Sequence, residues 1–441
     1  MNNPAIYSIE DAGGIPYPET ESYQFDRWFT TVGLTDASEF KSIRFSMRQE
    51  NLLLHWRYSY LEIHGQLVKN VAQNTPYAND EKIALIFNAI PHLFSNGKLS
   101  VGTRTIENVN VIVHVSSMMY YVLFPCSKEK GNGLQYLWIP DTDNTTTDAN
   151  KGFEIRRKYI INSPHTKGMF KFRIPMMMFF GFMENFVALK GYPVEIELVR
   201  GPDHSVILRG DSVDQGKLVF KDLLLNVPVV DPSKSVTLTS LRGISNPKPY
   251  MFSFRRRSGL YAPVPPNVQD FQFTITTESF VERPQMIWVG FQIGATVDQK
   301  FNYALYSHAN VETMTIKMNN TQFPAKPIKA NWTENDNGFF YEMQKHLREN
   351  YLQYPGTYNE GNMLNPVNFK DLYPIYCFDV TKQEYKVGSK TVTCELHVHF
   401  NNQTGAGLKV FVAWYSDRTC ELFTDGKELN IKTETESFIS H

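Results

Sequence analysis

The chain has 441 residues, 42% hydrophobic and 20% charged, which excludes global disorder and suits two domains of about 200 residues each. Its 44 basic and 45 acidic side chains nearly cancel, which excludes a protein that coats nucleic acid by bulk charge and leaves its copies little reason to repel one another. Aromatics reach 14%, and together with Val, Ile and Thr they favour pleated, half-buried surfaces.

Residues 1–37, rich in proline, glycine and acid, read as an irregular N-terminal arm with a short element around 25–29. From Ser42 the pattern turns to a period of two. Ile43, Phe45 and Met47 alternate with Ser42, Arg44 and Ser46, which puts apolar side chains on one sheet face and polar ones on the other. The same alternation returns at 61–64, 194–198, 271–276, 313–318 and 396–400. Less regular strands are expected at 109–123, 153–161, 218–227, 285–290 and 408–415. One stretch reads as helix: after Asn335-Asp336-Asn337, the residues Phe339, Met343 and Leu347 recur every four positions, predicting a helix over 338–350. Long loops are expected at 127–152, 319–337 and 350–372. Strands spread over the whole length, with almost no helices between them, predict antiparallel sandwiches rather than a parallel α/β sheet. Pro228 and Pro232 follow one strand and Asn246-Pro-Lys-Pro precedes the next, which places a break near 226–250. The expected division is an arm 1–37, a first domain 38–228, a linker 229–248, a second domain 249–428 and a C-terminal tail 429–441.

The search for chemistry yields little. Cys126, Cys377, Cys394 and Cys420 stand far apart with no CxxC, so reduced thiols are expected rather than a zinc site or a disulfide framework. The first seventeen residues have neither a basic start nor an apolar core, unlike a secretory signal, so the N-x-T sequons at Asn144, Asn319, Asn331 and Asn402 read as chance. The longest apolar run, 174–183, is about half a membrane span. No nucleophile elbow, phosphate loop, zincin or dinucleotide fingerprint occurs. His397 and His399 share one strand face, but spacing supplies no third metal ligand, so solvent-facing histidines are expected. Glu195 and Glu197 also share a face. A glycosidase pair normally comes from separate strands across a cleft, so an exposed polar surface is expected here. Arg255-Arg256-Arg257 and Arg156-Arg157-Lys158 lie on strand candidates, where three contiguous cations point to both faces and form no groove-tracking stripe. A solvated turn or an ion pair between subunits is expected before nucleic-acid contact. The run Met176-Met177-Met178-Phe179-Phe180 is expected as a buried strand or a subunit contact rather than a plastic binding surface. No catalytic, cofactor-binding or metal residue is assigned.

The order of segments carries a resemblance. Ile43-Arg-Phe-Ser-Met47 followed by 54–61 is similar to an opening pair of an I-x-F strand and a Y-L strand. Asn88-Ala-Ile-Pro-His92-Leu-Phe94-Ser95 is similar to an N-x-L-H-S-L-F-S stretch, from which Pro91 and Leu93 depart, and Asn96-Gly97 supplies a turn after it. Val194–Arg200 with Ile207–Arg209 resembles an I-x-L-x-R strand, and Lys217 to Pro228 the strand that closes a first jelly roll. Phe339 to Leu347, Gly361-Asn362 and Tyr376-Cys-Phe378-Asp379-Val380-Thr381 resemble Y-x-x-L…G-N…F-D-L-T. Taken in order, over about residues 40–425, these segments resemble the double jelly-roll major capsid proteins of Polinton-like elements, adintoviruses and related eukaryotic DNA viruses.

The resemblance implies an all-β fold of two tandem eight-stranded antiparallel jelly rolls with few short helices, a structural protein rather than an enzyme, and no cofactor. It implies homotrimers of pseudo-hexameric outline that tile an icosahedral capsid, a single jelly-roll penton protein as partner, and a place in the virion, with packaged DNA not held by bulk charge. Alternatives are a tandem β-sandwich carbohydrate-binding module, for which secretion would be expected, a β-sandwich enzyme of glycosidase or cupin type, whose His/His/Glu set cannot be assembled here, and a domesticated capsid-like protein.

Overall fold

Ile43, Phe45 and Met47 turn inward from one strand and Ile196 and Leu198 from its neighbour, all at most 2% exposed. Such rows repeat through a computed structural model that describes residues 7–8, 20–29, 39–47, 53–71, 73–124, 132–144, 147–161, 165–184, 187–190, 193–232, 250–277, 282–293, 298–352, 365–382, 392–424 and 429–433.

In the first roll the strands are β1 (Thr20–Phe29), β2 (Ser42–Met47), β3 (Tyr60–Lys69), β4 (Phe94–Val101), β5 (Arg104–Val109), β6 (Met169–Pro175), β7 (Val194–Arg200) and β8 (Gly216–Pro232). They pair antiparallel as β1-β8-β3-β6 and β2-β7-β4-β5. The second roll repeats this with β9 (Tyr250–Pro263), β10 (Asp270–Thr274), β11 (Met286–Gln292), β12 (Val311–Met318), β13 (Thr321–Phe323), β14 (Tyr376–Asp379), β15 (Cys394–Phe400) and β16 (Lys409–Thr424), ordered β9-β16-β11-β14 and β10-β15-β12-β13. In both rolls the first, eighth, third and sixth strands form one sheet and the second, seventh, fourth and fifth the other. That is the jelly-roll order, and the expected fold class of two tandem eight-stranded rolls stands. Short strands at Leu53–His55, Val187–Lys190 and Tyr7–Ser8 widen the first sheet, and Leu429–Thr433 pairs with β16.

Several expectations need correction. The strand expected at 109–123 is instead a helix, α1 (Ile112–Leu123), with every residue but Val113 buried. A helix buried all round shows no amphipathic period, so its β-branched residues read as strand. The strand expected at 153–161 is helix α2 (Lys151–Ile161), whose inward row Phe153, Arg156, Arg157, Ile160 and Ile161 is interrupted by arginines. Asn96-Gly97 is not a turn but lies within β4; a Cβ on Gly97 would come 2.5 Å from Ile112 Cδ1, so glycine lets α1 lie against the strand. Thr20–Phe29, expected inside an irregular arm, is a ten-residue strand paired to β8. Most of the expected linker, 233–248, lies outside the described residues, as do 127–131, 145–146 and 353–364 of the expected loops.

The expected helix at 338–350 is α3 (Gly338–Leu352), followed by α4 (Pro366–Asp371), where the Asn365 side chain caps the amide of Asn368. Among the described residues no helix is long and apolar enough to cross a membrane. Cys377, Cys394 and Cys420 are buried free thiols, pushed up by burial, and Cys126 lies outside the described residues.

Candidate functional site at the seam between the rolls

β11 reads Met-Ile-Trp-Val-Gly-Phe-Gln without alternation, and all seven residues are buried. A strand covered on both faces needs no polar row. Ile287, Val289 and Phe291 join the core of the second roll, together with Val410, Val412 and Trp414 of β16. Met286 and Trp288, with Phe411, Ala413, Tyr415 and Cys377, point the other way and merge with the core of the first roll. Helix α1 lies on this outer face: His114 stacks on Phe411 with ring centroids 3.6 Å apart, and a Cβ on Gly259 of β9 would come 2.4 Å from Val115. The rolls therefore share one continuous apolar contact.

Polar groups buried in this contact are matched in detail. Glu107 of β5, wholly buried, accepts from the backbone amides of Gly181 (3.2 Å), Phe182 (2.8 Å) and Arg257 (2.9 Å). Burial pushes its carboxyl up, against the pull of those amides and of the Arg257 and Arg256 charges. The chain passes so closely here that a Cβ on Gly181 would meet the Arg255 carbonyl oxygen at 1.7 Å. Arg257 donates to the Met177 carbonyl (2.7 Å), to Tyr120 Oη (3.0 Å) and to Glu184. Tyr351 of α3 donates to Glu184 at 2.8 Å, and the Arg255 guanidinium lies 4.3 Å from the centre of its ring. Four segments of the two rolls thus meet on one ion pair. A second buried centre joins Arg256 and Arg418 to Glu282 at 2.9 and 3.1 Å.

Beside α1 a cleft of about 370 Å³ opens between the rolls, lined by His92, His114, His204, Tyr303, Lys409 and Phe411 among others. His92 Nε2 lies 3.3 Å from Ser117 Oγ, and His114 Nδ1 lies 3.0 Å from Tyr306 Oη. Burial lowers both imidazoles, His92 to about 3 and His114 well below its usual range.

Arg156, Arg157, Arg256 and Arg257, singled out in the sequence, are thus buried within the chain rather than in solvated turns, whereas the Lys158 side chain is 70% exposed. Arg156 is fully buried and donates to Asp141 and to the carbonyls of Leu85 and Ile139. Arg157 pairs with Glu154, and Arg256 and Arg257 pair within the chain as described. Met176–Met178 is a one-turn 3₁₀ helix rather than a strand, with Met176 and Met178 buried. Glu197 accepts from Ser42 and Arg44, and Glu195 is exposed. His397 and His399 face outward with side chains 38% and 39% exposed, paired with Glu395 and with Asp270 and Glu312. Replacing both histidines with glutamine is expected to change the unfolding free energy by less than about 1 kcal/mol, the usual reach of surface ion pairs, while Val398→Asp, which buries a charge, prevents soluble folding. A denaturation curve of each variant checks this; a large loss for the histidine pair would refute the outward reading. Sequence reasoning missed Glu107 and Glu184 because their partners are 64 or more residues away and nothing local marks them.

Comparison with known proteins follows the same outline. The family described as a double jelly roll-like domain matches residues 143–418. Compared by sequence with curated proteins, the chain matches none. Among solved structures it is similar to a chain of the Sputnik virophage (TM-score 0.58, 12% identity, 95% of this chain and 90% of that one). It is similar to the Faustovirus major capsid protein (TM-score 0.55, 8% identity, 94% and 92%). It is also similar to the mavirus major capsid protein (TM-score 0.52, 12% identity, 99% and 94%). At these identities the likeness is one of fold.

Proposed function

The chain belongs to the double jelly roll-like domain family, and from that premise we propose that it is a viral major capsid protein whose homotrimers tile an icosahedral DNA-virus shell. The observation that carries this reading is the seam. Two rolls of the same strand order are fused by a buried contact into one rigid block, so each subunit offers two similar lobes and three subunits offer six. Solved structures of the same fold include proteins named as major capsid proteins of mavirus and Faustovirus, which supports the reading. Within it, the lobes are proposed as 38–228 and 249–428 with a joint at 229–248; β1 (Thr20–Phe29) adds the first strand to the first lobe and β8 runs on to Pro232, so the chain passes from roll to roll between Pro232 and Tyr250. The finer assignments are a Polinton-like or adintovirus-type origin, a single jelly-roll penton protein as companion, location in the virion, and a structural rather than catalytic role. Near-zero net charge suits close packing of copies and offers packaged DNA no bulk attraction. The test is mass photometry of the purified chain with negative-stain microscopy. Trimers and pseudo-hexagonal particles are expected; a strict monomer at all concentrations would refute the proposal.

A further inference from the structure

The cleft beside α1 is made by both rolls together. The first roll lines it with His92, His114 and His204, the second with Tyr303, Lys409 and Phe411. At about 370 Å³ it falls in the range of small-molecule pockets. Rings dominate its walls. His114 stacks on Phe411 with centroids 3.6 Å apart, and Tyr261, the partner of Phe411 across β9 and β16, lies 5.9 Å from it and 26° from parallel. His204 and Tyr303 meet at 5.4 Å. Tyr261 is 56% exposed, so this row of rings runs from the buried seam out to solvent.

The polar lining is largely engaged already. Ser205 Oγ donates to the carbonyls of Pro202 and His92, Gln292 Nε2 to those of Tyr303 and Leu305, and Asn96 Oδ1 accepts from the Val111 amide. Burial lowers His92, His114 and His204, so all three are neutral at pH 7. Among the described residues no Asp or Glu lines the cleft. Lys409 is therefore its charge. It is half-buried, two residues before Phe411 on the same face of β16, and has no ion-pair partner among the described residues. A cation held among rings without a counter-charge favours an anion with an apolar body.

We propose that this cleft binds a small aromatic carboxylate, with its ring against Phe411 and Tyr261 and its carboxylate on Lys409 Nζ. One lysine matches one negative charge, whereas a phosphate dianion would leave a second charge unmatched. The ligand touches both rolls, so its binding strengthens the seam by mass action. The site is independent of whether the chain builds a shell.

The experiment titrates the full chain with indole-3-acetate, with its neutral amide, indole-3-acetamide, and with hexanoate, by calorimetry at pH 7. Indole-3-acetate is expected to bind with a dissociation constant of about 1 mM or tighter, the weak end for a ligand of its size. The amide should bind about tenfold more weakly for want of a charged hydrogen bond, and hexanoate more weakly for want of a ring. Lys409→Met should bring the acid down to the level of the amide, and Lys409→Arg should keep most of the preference. Tyr261→Ala, at an exposed position, should weaken acid and amide alike by severalfold and leave their ratio unchanged. Lys317→Met, at an exposed lysine elsewhere, should alter nothing. A denaturation curve confirms that each variant is folded. No binding of indole-3-acetate, an amide or hexanoate that binds as tightly, or a preference that survives in folded Lys409→Met would each overturn the proposal.

Discussion

Arg257→Ala is expected to lower the unfolding free energy by about 3–5 kcal/mol, the usual loss when one partner of a buried ion pair is removed. Arg257 is fully buried and its charge is secure: burial works against it, but Tyr120 and Glu184 prevail and raise its pKa well above the usual range. Truncation leaves Glu184, whose side chain is 14% exposed, without its guanidinium, and removes a donor from the Met177 carbonyl and from Tyr120 Oη. The Glu107 contact to the Arg257 amide survives, since it is made by the backbone. Arg257→Lys should recover only part of the loss, because a single ammonium cannot reach a carbonyl, a phenol and a carboxylate in the planar arrangement that a guanidinium serves. The comparison is a denaturant melt against a substitution at exposed Lys317, expected within about 0.5 kcal/mol of the unmodified chain. A loss at Arg257 no larger than that at Lys317 would mean that the seam is held by its apolar contact alone.

What could be read from the sequence follows from what surrounds each strand. Where one sheet face is packed and the other wet, as at Ile43, Phe45 and Met47 or Leu396, Val398 and Phe400, alternation marks the strand and its inward row. Where both sides are packed the signal disappears. β11 shows only an apolar run, and the pattern of α1, buried at every residue but Val113, reads as a strand. The seam consists of such elements, so its location was the part least visible beforehand. Its charged groups misled in a further way. Arg156, Arg256 and Arg257 look like surface cations because their partners Asp141, Glu282 and Glu184 lie 15 to 73 residues away in sequence. The fold as a whole was legible through the order of several weak segments, since strand order sets the topology. The polar network depends on long-range pairing, which no local pattern encodes.

Acidification from pH 7 to pH 5 is expected to destabilise the protein through its buried histidines: His92 and His114 at the seam, and His55 in the first roll, which burial lowers to about 4. Desolvation lowers His92 from 6.5 to about 3, so at pH 5 its side chain is protonated in the unfolded chain and neutral in the folded one. A group whose folded pKa lies below its unfolded value destabilises progressively as pH falls from the unfolded value toward the folded one. Over the 1.5 units from 6.5 to 5, His92 alone gives about 2 kcal/mol. His114, lowered by burial and then by the charges of His92 and Lys409, acts in the same direction. The groups around them do not reverse the sign. His204, at the cleft, is also lowered by burial, and Tyr306 is raised by burial and stays neutral. The carboxylates enter at lower pH. Glu62 and Glu154, each held at about 2, lose their contribution only below about 4.5, while Glu107, raised by burial, works the opposite way. Protonated His114 would sit against the face of Phe411 and beside Lys409, so the strain falls on the contact between the rolls rather than on either core. The measurement is the denaturation midpoint between pH 7 and pH 5 for the unmodified chain and for a variant with His92→Gln and His114→Gln. The unmodified midpoint should fall and the variant's should move much less, because glutamine keeps a polar side chain there but does not titrate. Equal falls in the two proteins would place the acid sensitivity elsewhere.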